Sequence, residues 1–164
     1  SRKEVADVIN QLNGVSKLLT QLMYGCGLRS LEVIRLRVHD IDFTQKQIVV
    51  RAAKGNKDRV TFLPDNLVSL LKAQIIRVED LHRKDLANGF GEVFLPDALA
   101  RKYVNASKSF GWQYLFPSPT ISKHPRSGRS MRHHIHKSAL QKAILTVVNP
   151  LGTQRTATPH VMRH

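Results

Sequence analysis

The stretch QIVVRAAKGNKDRVTFL, residues 47–63, constrains the fold of this chain more than any other. Its arms are rich in β-branched and aromatic residues and flank a Gly55-Asn56 turn, which is the pattern of a hairpin. The segments around it are patterned for helices. Val5, Val8, Ile9 and Leu12 form an apolar stripe at helical spacing, Gly14 interrupts it, and Val15, Leu18, Leu19 and Leu22 begin a second stripe. Ser1 and Glu4 have the S-x-x-E form of a capping box, so the first residues read as a helix start rather than a secretory signal. Leu31, Ile34 and Leu36 suit a further short helix after YGCGLR. LPDNLVSLLKAQIIRVEDLHRKDLANG is a long amphipathic helix, with Asp65 near its start and Gly89 as its stop. SALQKAILTVV predicts another, and Thr158-Pro159 opens a last one at TPHVMRH. The class is mixed α/β, mainly α-helical, with a small antiparallel hairpin or sheet.

Between about residues 90 and 137 the periodicity weakens, and Pro96, Pro117, Pro119 and Pro125 break the chain into short pieces rich in Ser and basic residues. This stretch reads as an insertion laid over a domain. With 164 residues, 41% of them hydrophobic, the chain is long enough for one domain with a core. No apolar run approaches the ~20 residues needed to span a bilayer. The single cysteine, Cys26, forms no internal disulfide, which suits a soluble protein of a reducing compartment.

Charge is unevenly spread. The formal net charge is +14, and all 12 acidic residues lie between Glu4 and Asp97. Residues 1–97 hold 15 Lys and Arg, for a net of +3, whereas residues 98–164 hold 11 and no acid. A field of that sign points to a polyanion such as nucleic acid, seated on the second part.

Three short motifs carry candidate chemistry. Arg29 stands at a helix entrance with Glu32 three residues on, so it can grip a phosphate bidentately while Glu32 fixes its side chain; a plain surface Arg–Glu pair is the alternative. Lys54 and Lys57 lie at the hairpin turn, where an ammonium can follow a phosphate and protonate a leaving oxygen, or be merely solvated. His160 and Arg163 share one face at a helix start. The RHHIH cluster, with His133, His134 and His136, offers an H-x-H pair for a metal, but no Asp, Glu or Cys follows Asp97 to complete a shell.

The order Tyr24-x-x-Gly27-x-Arg29-x-x-Glu32, then Lys54-Gly55-x-Lys57-x-Arg59, then His160-x-x-Arg163-His164 resembles the catalytic domain of tyrosine recombinases, the phage integrase family. The hairpin departs from the family pattern at Ala53 and at Thr61-Phe62-Leu63. FLPDALARKYVNASKSFGWQYLFPS and RHHIHKSALQKAI look like the extra segment of integron integrases, which holds bases flipped out of folded single-stranded sites.

The resemblance implies the tyrosine recombinase catalytic-domain fold over residues 1–164, and site-specific DNA recombination without metal or cofactor. A tyrosine would attack a phosphodiester and form a 3′-phosphotyrosyl link. Arg29 and Arg163 would stabilise the non-bridging oxygens, His160 would manage the nucleophile's proton, and Lys54 would protonate the 5′-oxygen. Glu32 and His164 would support them, with Lys57 and Arg59 on DNA. Trp112, Pro125, His133 and His134 would hold the unpaired bases, an aromatic contact contributing about 1–3 kcal/mol. The partners implied are DNA, including folded hairpins, and a homo-tetramer of the full-length protein on it, in a bacterial cytoplasm and away from membranes. On this resemblance residues 1–164 would be one partial catalytic domain, expected to lack the family's N-terminal DNA-clamping domain and its C-terminal tyrosine-bearing helices. Tyr24 would have a packing role, Tyr103 and Tyr114 lie in the insertion, and so the residues present are expected to bind DNA without forming a covalent adduct. The rival classes are a non-enzymatic basic DNA-binding module and a metal-dependent nuclease using RHHIH.

Overall fold

A computed structural model describes residues 1–53, 57–103 and 105–148. Helix α1 (Arg2–Gln11) starts at the capping box: the Ser1 hydroxyl accepts the Glu4 N–H at 3.3 Å, and the Glu4 carboxylate turns back to the Ser1 nitrogen. Helix α2 (Gly14–Cys26) stops where Gly27 takes φ 68°, a left-handed conformation that costs glycine little. A short α3 (Ser30–Ile34) then leads into a three-stranded antiparallel sheet, ordered β1 (Ile41–Asp42), β2 (Gln47–Ala53), β3 (Lys57–Phe62). The register shifts between Val50 and Ala53, so β2 carries one extra residue on the approach to the hairpin turn. Helix α4 (Asp65–Ala87) ends before Gly89, as its sequence pattern predicts. After it come α5 (Asp97–Lys102), a small hairpin of β4 (Ser122–Lys123) and β5 (Ser130–Met131), and α6 (Lys137–Val148).

The core gathers around α2, which packs on α1, α3, α4 and α6. Leu19, Leu22 and Met23 on α2 are fully enclosed, and they meet Leu67 and Leu71 of α4 and Leu140 and Ile144 of α6 in one cluster. Cys26 ends the same buried stripe, and burial pushes its thiol up to about 11.

The small antiparallel sheet expected around the hairpin has a third strand, because Ile41 and Asp42 pair with Ile48 and Gln47; two residues are too few to show a period. Two expectations are corrected. Leu31 does not face inward on α3: it is exposed, while Val33, Ile34 and Leu36 are buried. The stretch expected to lie over the domain instead enters its core, since Leu115 and Phe116 have no exposed surface and Leu115 N–H donates to Leu36 O at 2.8 Å. The buried Gln74 of α4 donates to Leu115 O at 2.9 Å from the other side.

Candidate functional site

The sequence around Arg29 is held in place by a carboxylate. Glu32 Oε2 accepts the Arg29 backbone N–H at 2.8 Å and a proton of Arg59 Nη2, also at 2.8 Å. Arg59 Nη2 reaches Gly27 O at 3.4 Å, and the Thr61 hydroxyl donates to Cys26 O at 3.0 Å. These bonds dock β3 onto the turn that presents Arg29. The Glu32 side chain is only 11% exposed, so removing one partner of this pair strands the other more severely than at an ordinary surface ion pair. Glu32 thus supports Arg29 through its backbone, not through the side-chain pair expected. Arg59, expected on DNA, directs Nη2 inward as the clamp's other half. Among the described residues, no hydrogen bond or ion pair engages the half-buried Arg29 guanidinium. It is left available for a bidentate grip on an oxyanion. Lys57 is exposed at the start of β3.

A second constellation is built on Arg37, which sequence reasoning missed. Its guanidinium is buried and donates to Trp112 O at 2.8 Å, Phe94 O at 2.7 Å and the Tyr114 hydroxyl at 3.2 Å. It lies 4.3 Å from the Tyr114 ring centroid and 5.9 Å from that of Trp112. Asp40 accepts the Arg37 backbone N–H at 2.9 Å and Arg51 Nε at 2.6 Å, and Arg51 in turn covers Trp112 at 5.2 Å. Nothing in the sequence separates this Arg from the surface arginines around it. Its one local signal is Asp40 three residues on, a capping spacing.

Trp112 and the His133–His134 pair stand at the two ends of this row. Trp112 is half-buried, with His39 5.5 Å away. His133 and His134 lie 3.9 Å apart, and both meet the Tyr114 ring edge-on, at 5.5 and 5.1 Å. Burial against this wall, and then the neighbouring charge of His134, pushes His133 down to about 4; burial lowers His134 as well. The neutral form of both rings is thereby favoured. Pro125 is exposed and lines, with His133, a cavity of about 380 Å³.

Tyr114 is buried with its hydroxyl on Arg37, and Tyr24, expected to pack, is exposed. Lys54, His160, Arg163 and His164 lie outside the described residues. Among the described residues no three His, Cys, Asp or Glu side chains gather to hold a metal ion, and no helix is long and apolar enough to cross a membrane.

A family model described as the phage integrase family matches residues 2–164. Two proteins called integrase/recombinase, from Escherichia coli and Pseudomonas aeruginosa, are each 42% identical over 161 residues, 98% of this chain and 48% of their own length. The tyrosine recombinase XerA of Thermococcus onnurineus is 36% identical over 83 residues, 49% of this chain and 29% of its own. A crystal structure of XerA recombinase superposes on 100% of this chain and 47% of its own, with a TM-score of 0.61 at 23% identity. XerH site-specific recombinase bound to palindromic difH substrate superposes on 99% of this chain and 37% of its own, with a TM-score of 0.58 at 19% identity. The mainly helical fold with a small antiparallel sheet is the one these recombinases share. The chain spans about half the length of the curated relatives it matches. With the family model matching nearly every residue, this chain belongs to the phage integrase family.

Proposed function

We propose that these residues form the phosphate-gripping part of a site-specific tyrosine recombinase of the integron integrase type. The observation that carries this reading is the clamp of Glu32 on Arg59, which sets the hairpin against the turn bearing an uncommitted Arg29. In the reaction, Arg29 and Arg163 bind the non-bridging oxygens of one phosphodiester and stabilise the charge that grows there. Lys54, carried by the hairpin, delivers a proton to the departing 5′-oxygen. His160 takes the proton of an attacking tyrosine, and His164 supports it. The DNA-bound state of the XerH structure and the names of the relatives support DNA as the substrate.

The integron assignment rests on the stretch between about 90 and 137, where Trp112, Pro125, His133 and His134 supply neutral rings and an apolar edge for unpaired bases. Folded single-stranded hairpins are the substrates that offer such bases. The working assembly is a homo-tetramer on DNA.

A chimera tests the reading: residues 1–164 replace the matching half of a full-length relative, and the protein is incubated with a nicked suicide substrate. A covalent band on a denaturing gel that is lost in Arg29→Ala and in Arg163→Ala supports it. A band that survives both substitutions refutes it. The 164 residues alone are expected to give no band: Tyr114 is buried with its hydroxyl on Arg37, and an attack by the exposed Tyr24 or Tyr103 would show as a band lost on changing that tyrosine to Phe.

A further inference from the structure

Two carboxylates share one double task. Glu32 accepts the backbone N–H of Arg29 and the guanidinium of Arg59, and Asp40 accepts the backbone N–H of Arg37 at 2.9 Å and Arg51 Nε at 2.6 Å. Each carboxylate caps the residue three positions before it and reaches across to one arm of the hairpin, Arg59 on β3 or Arg51 on β2. The hairpin is therefore held on both arms. The Asp40 side chain is 2% exposed and that of Arg51 35%, so a carboxylate withdrawn from water depends on this partner.

Arg51 occupies a special place on its strand. Val50 pairs with Arg59 and Ala53 with Lys57, so Arg51 and Ala52 together oppose the single residue Asp58. Such a bulge bends a strand and re-aims the side chains that leave it. Lys54, the proton donor of the reaction proposed above, follows Ala53 directly in sequence. The Asp40 pair anchors the bulge to the buried segment before β1, and Arg51 Cζ lies 5.2 Å from the centroid of the Trp112 ring. Trp112 is itself tethered, since its carbonyl accepts from Arg37 Nη1 at 2.8 Å. Arg51, Asp40, Arg37 and Trp112 thus close a ring of contacts between the hairpin and the stretch from about 90 to 137.

We propose that Arg51 is a positioning residue for proton transfer: its ties to Asp40 and Trp112 set the bulge from which Lys54 reaches the departing 5′-oxygen. The proposal rests on the recombinase reading above. In that step the tyrosine oxygen forms its bond to phosphorus, and the bond from phosphorus to the 5′-oxygen breaks. That oxygen takes its proton from the Lys54 ammonium, which is left a neutral amine. Arg51 acts through Lys54 and touches none of the reacting atoms. A bulge that has lost Arg51 lets the ammonium fall out of line, and a small misplacement is enough to slow such a transfer.

The test uses the chimera described above and two suicide substrates that differ in one atom, the natural 5′-oxygen at the scissile phosphate or a sulfur in its place. Sulfur leaves as a thiolate and needs no proton. On the oxygen substrate Arg51→Met is expected to cleave about tenfold more slowly, and Lys54→Ala about a hundredfold more slowly. On the sulfur substrate both deficits close, whereas that of Arg29→Ala remains. Lys54→Ala/Arg51→Met is no slower than Lys54→Ala on oxygen. Should Arg51→Met fail to fold, Arg51→Lys, which keeps a cation for Asp40 and loses the planar contact with Trp112, gives the same comparison with a smaller deficit. A deficit of the folded Arg51 variant that is equal on the two substrates, or no deficit, overturns the positioning role and spares Lys54. A Lys54→Ala deficit equal on both substrates sinks the proton reading and the proposal with it.

Discussion

Glu32 and Arg59, 27 residues apart in the chain, share an ion pair of 2.8 Å beside the first turn of α3. The carboxylate that closes this pair also satisfies the backbone N–H of Arg29. One side chain therefore fixes both the hairpin and the turn that presents Arg29.

Removing Glu32 orphans two donors at once. Glu32→Ala is expected to cost about 2 kcal/mol in urea unfolding, near the cost of leaving such groups unpaired. Arg59→Leu should cost less, since Arg59 is 38% exposed and its loss leaves Glu32 its bond to Arg29. The double variant should show a coupling of about 1 kcal/mol. Additive losses would mean that the pair holds nothing together.

Asp85 and Arg132 form a second pair, now buried and two-pronged, with both bonds at 2.8 Å and exposures of 8% and 11%. Arg132 Nη1 also donates to Ser118 O at 2.8 Å. Together they tie the end of α4 to the strand that leads into His133. Asp85→Asn strands a buried guanidinium and is expected to cost about 3 kcal/mol. Asp85→Leu/Arg132→Met should unfold at a higher urea concentration than Asp85→Asn. The opposite order would show that the charges, rather than their mutual compensation, are what the fold requires.

Stability should fall on the acid side of neutrality. His133 titrates near 4 in the folded chain and near 6.5 when unfolded, and His134 is lowered in the same direction. Below 6.5 the unfolded state binds protons that the folded state refuses, so this contribution is complete above 6.5 and is lost progressively as pH falls toward 4. Urea midpoints between pH 7 and 4.5 should decline, and His133→Phe should flatten that decline. An unchanged slope in His133→Phe would place the acid sensitivity elsewhere.

Helices α1, α2, α4 and α6 were legible because each buries one stripe at helical spacing, with Gly89 read as the stop of α4, whereas α5 lies in the stretch whose periodicity is weak. The hairpin was legible for the same local reason. What escaped is non-local. Arg29 and Glu32 stand three apart, which suggests a pair between their side chains; only the docking of β3 brings Arg59 to that carboxylate. Arg37 reads as one more surface charge until Phe94, Trp112 and Tyr114 close on it. Leu115 and Phe116 sit in a segment broken by prolines, and no period marks residues whose burial comes from Leu36 on one side and Gln74 on the other.

In the proposed reaction Arg29 and Arg163 hold DNA through one phosphate. The most direct measurement is the affinity of the 164-residue chain for a labelled duplex from 50 to 200 mM salt, with Arg29→Ala and Arg163→Ala beside it. Each substitution should weaken binding by a similar factor on any duplex sequence and reduce the slope of log K against log salt by about one. A slope left unchanged by both substitutions, with the folded state intact, would contradict the account.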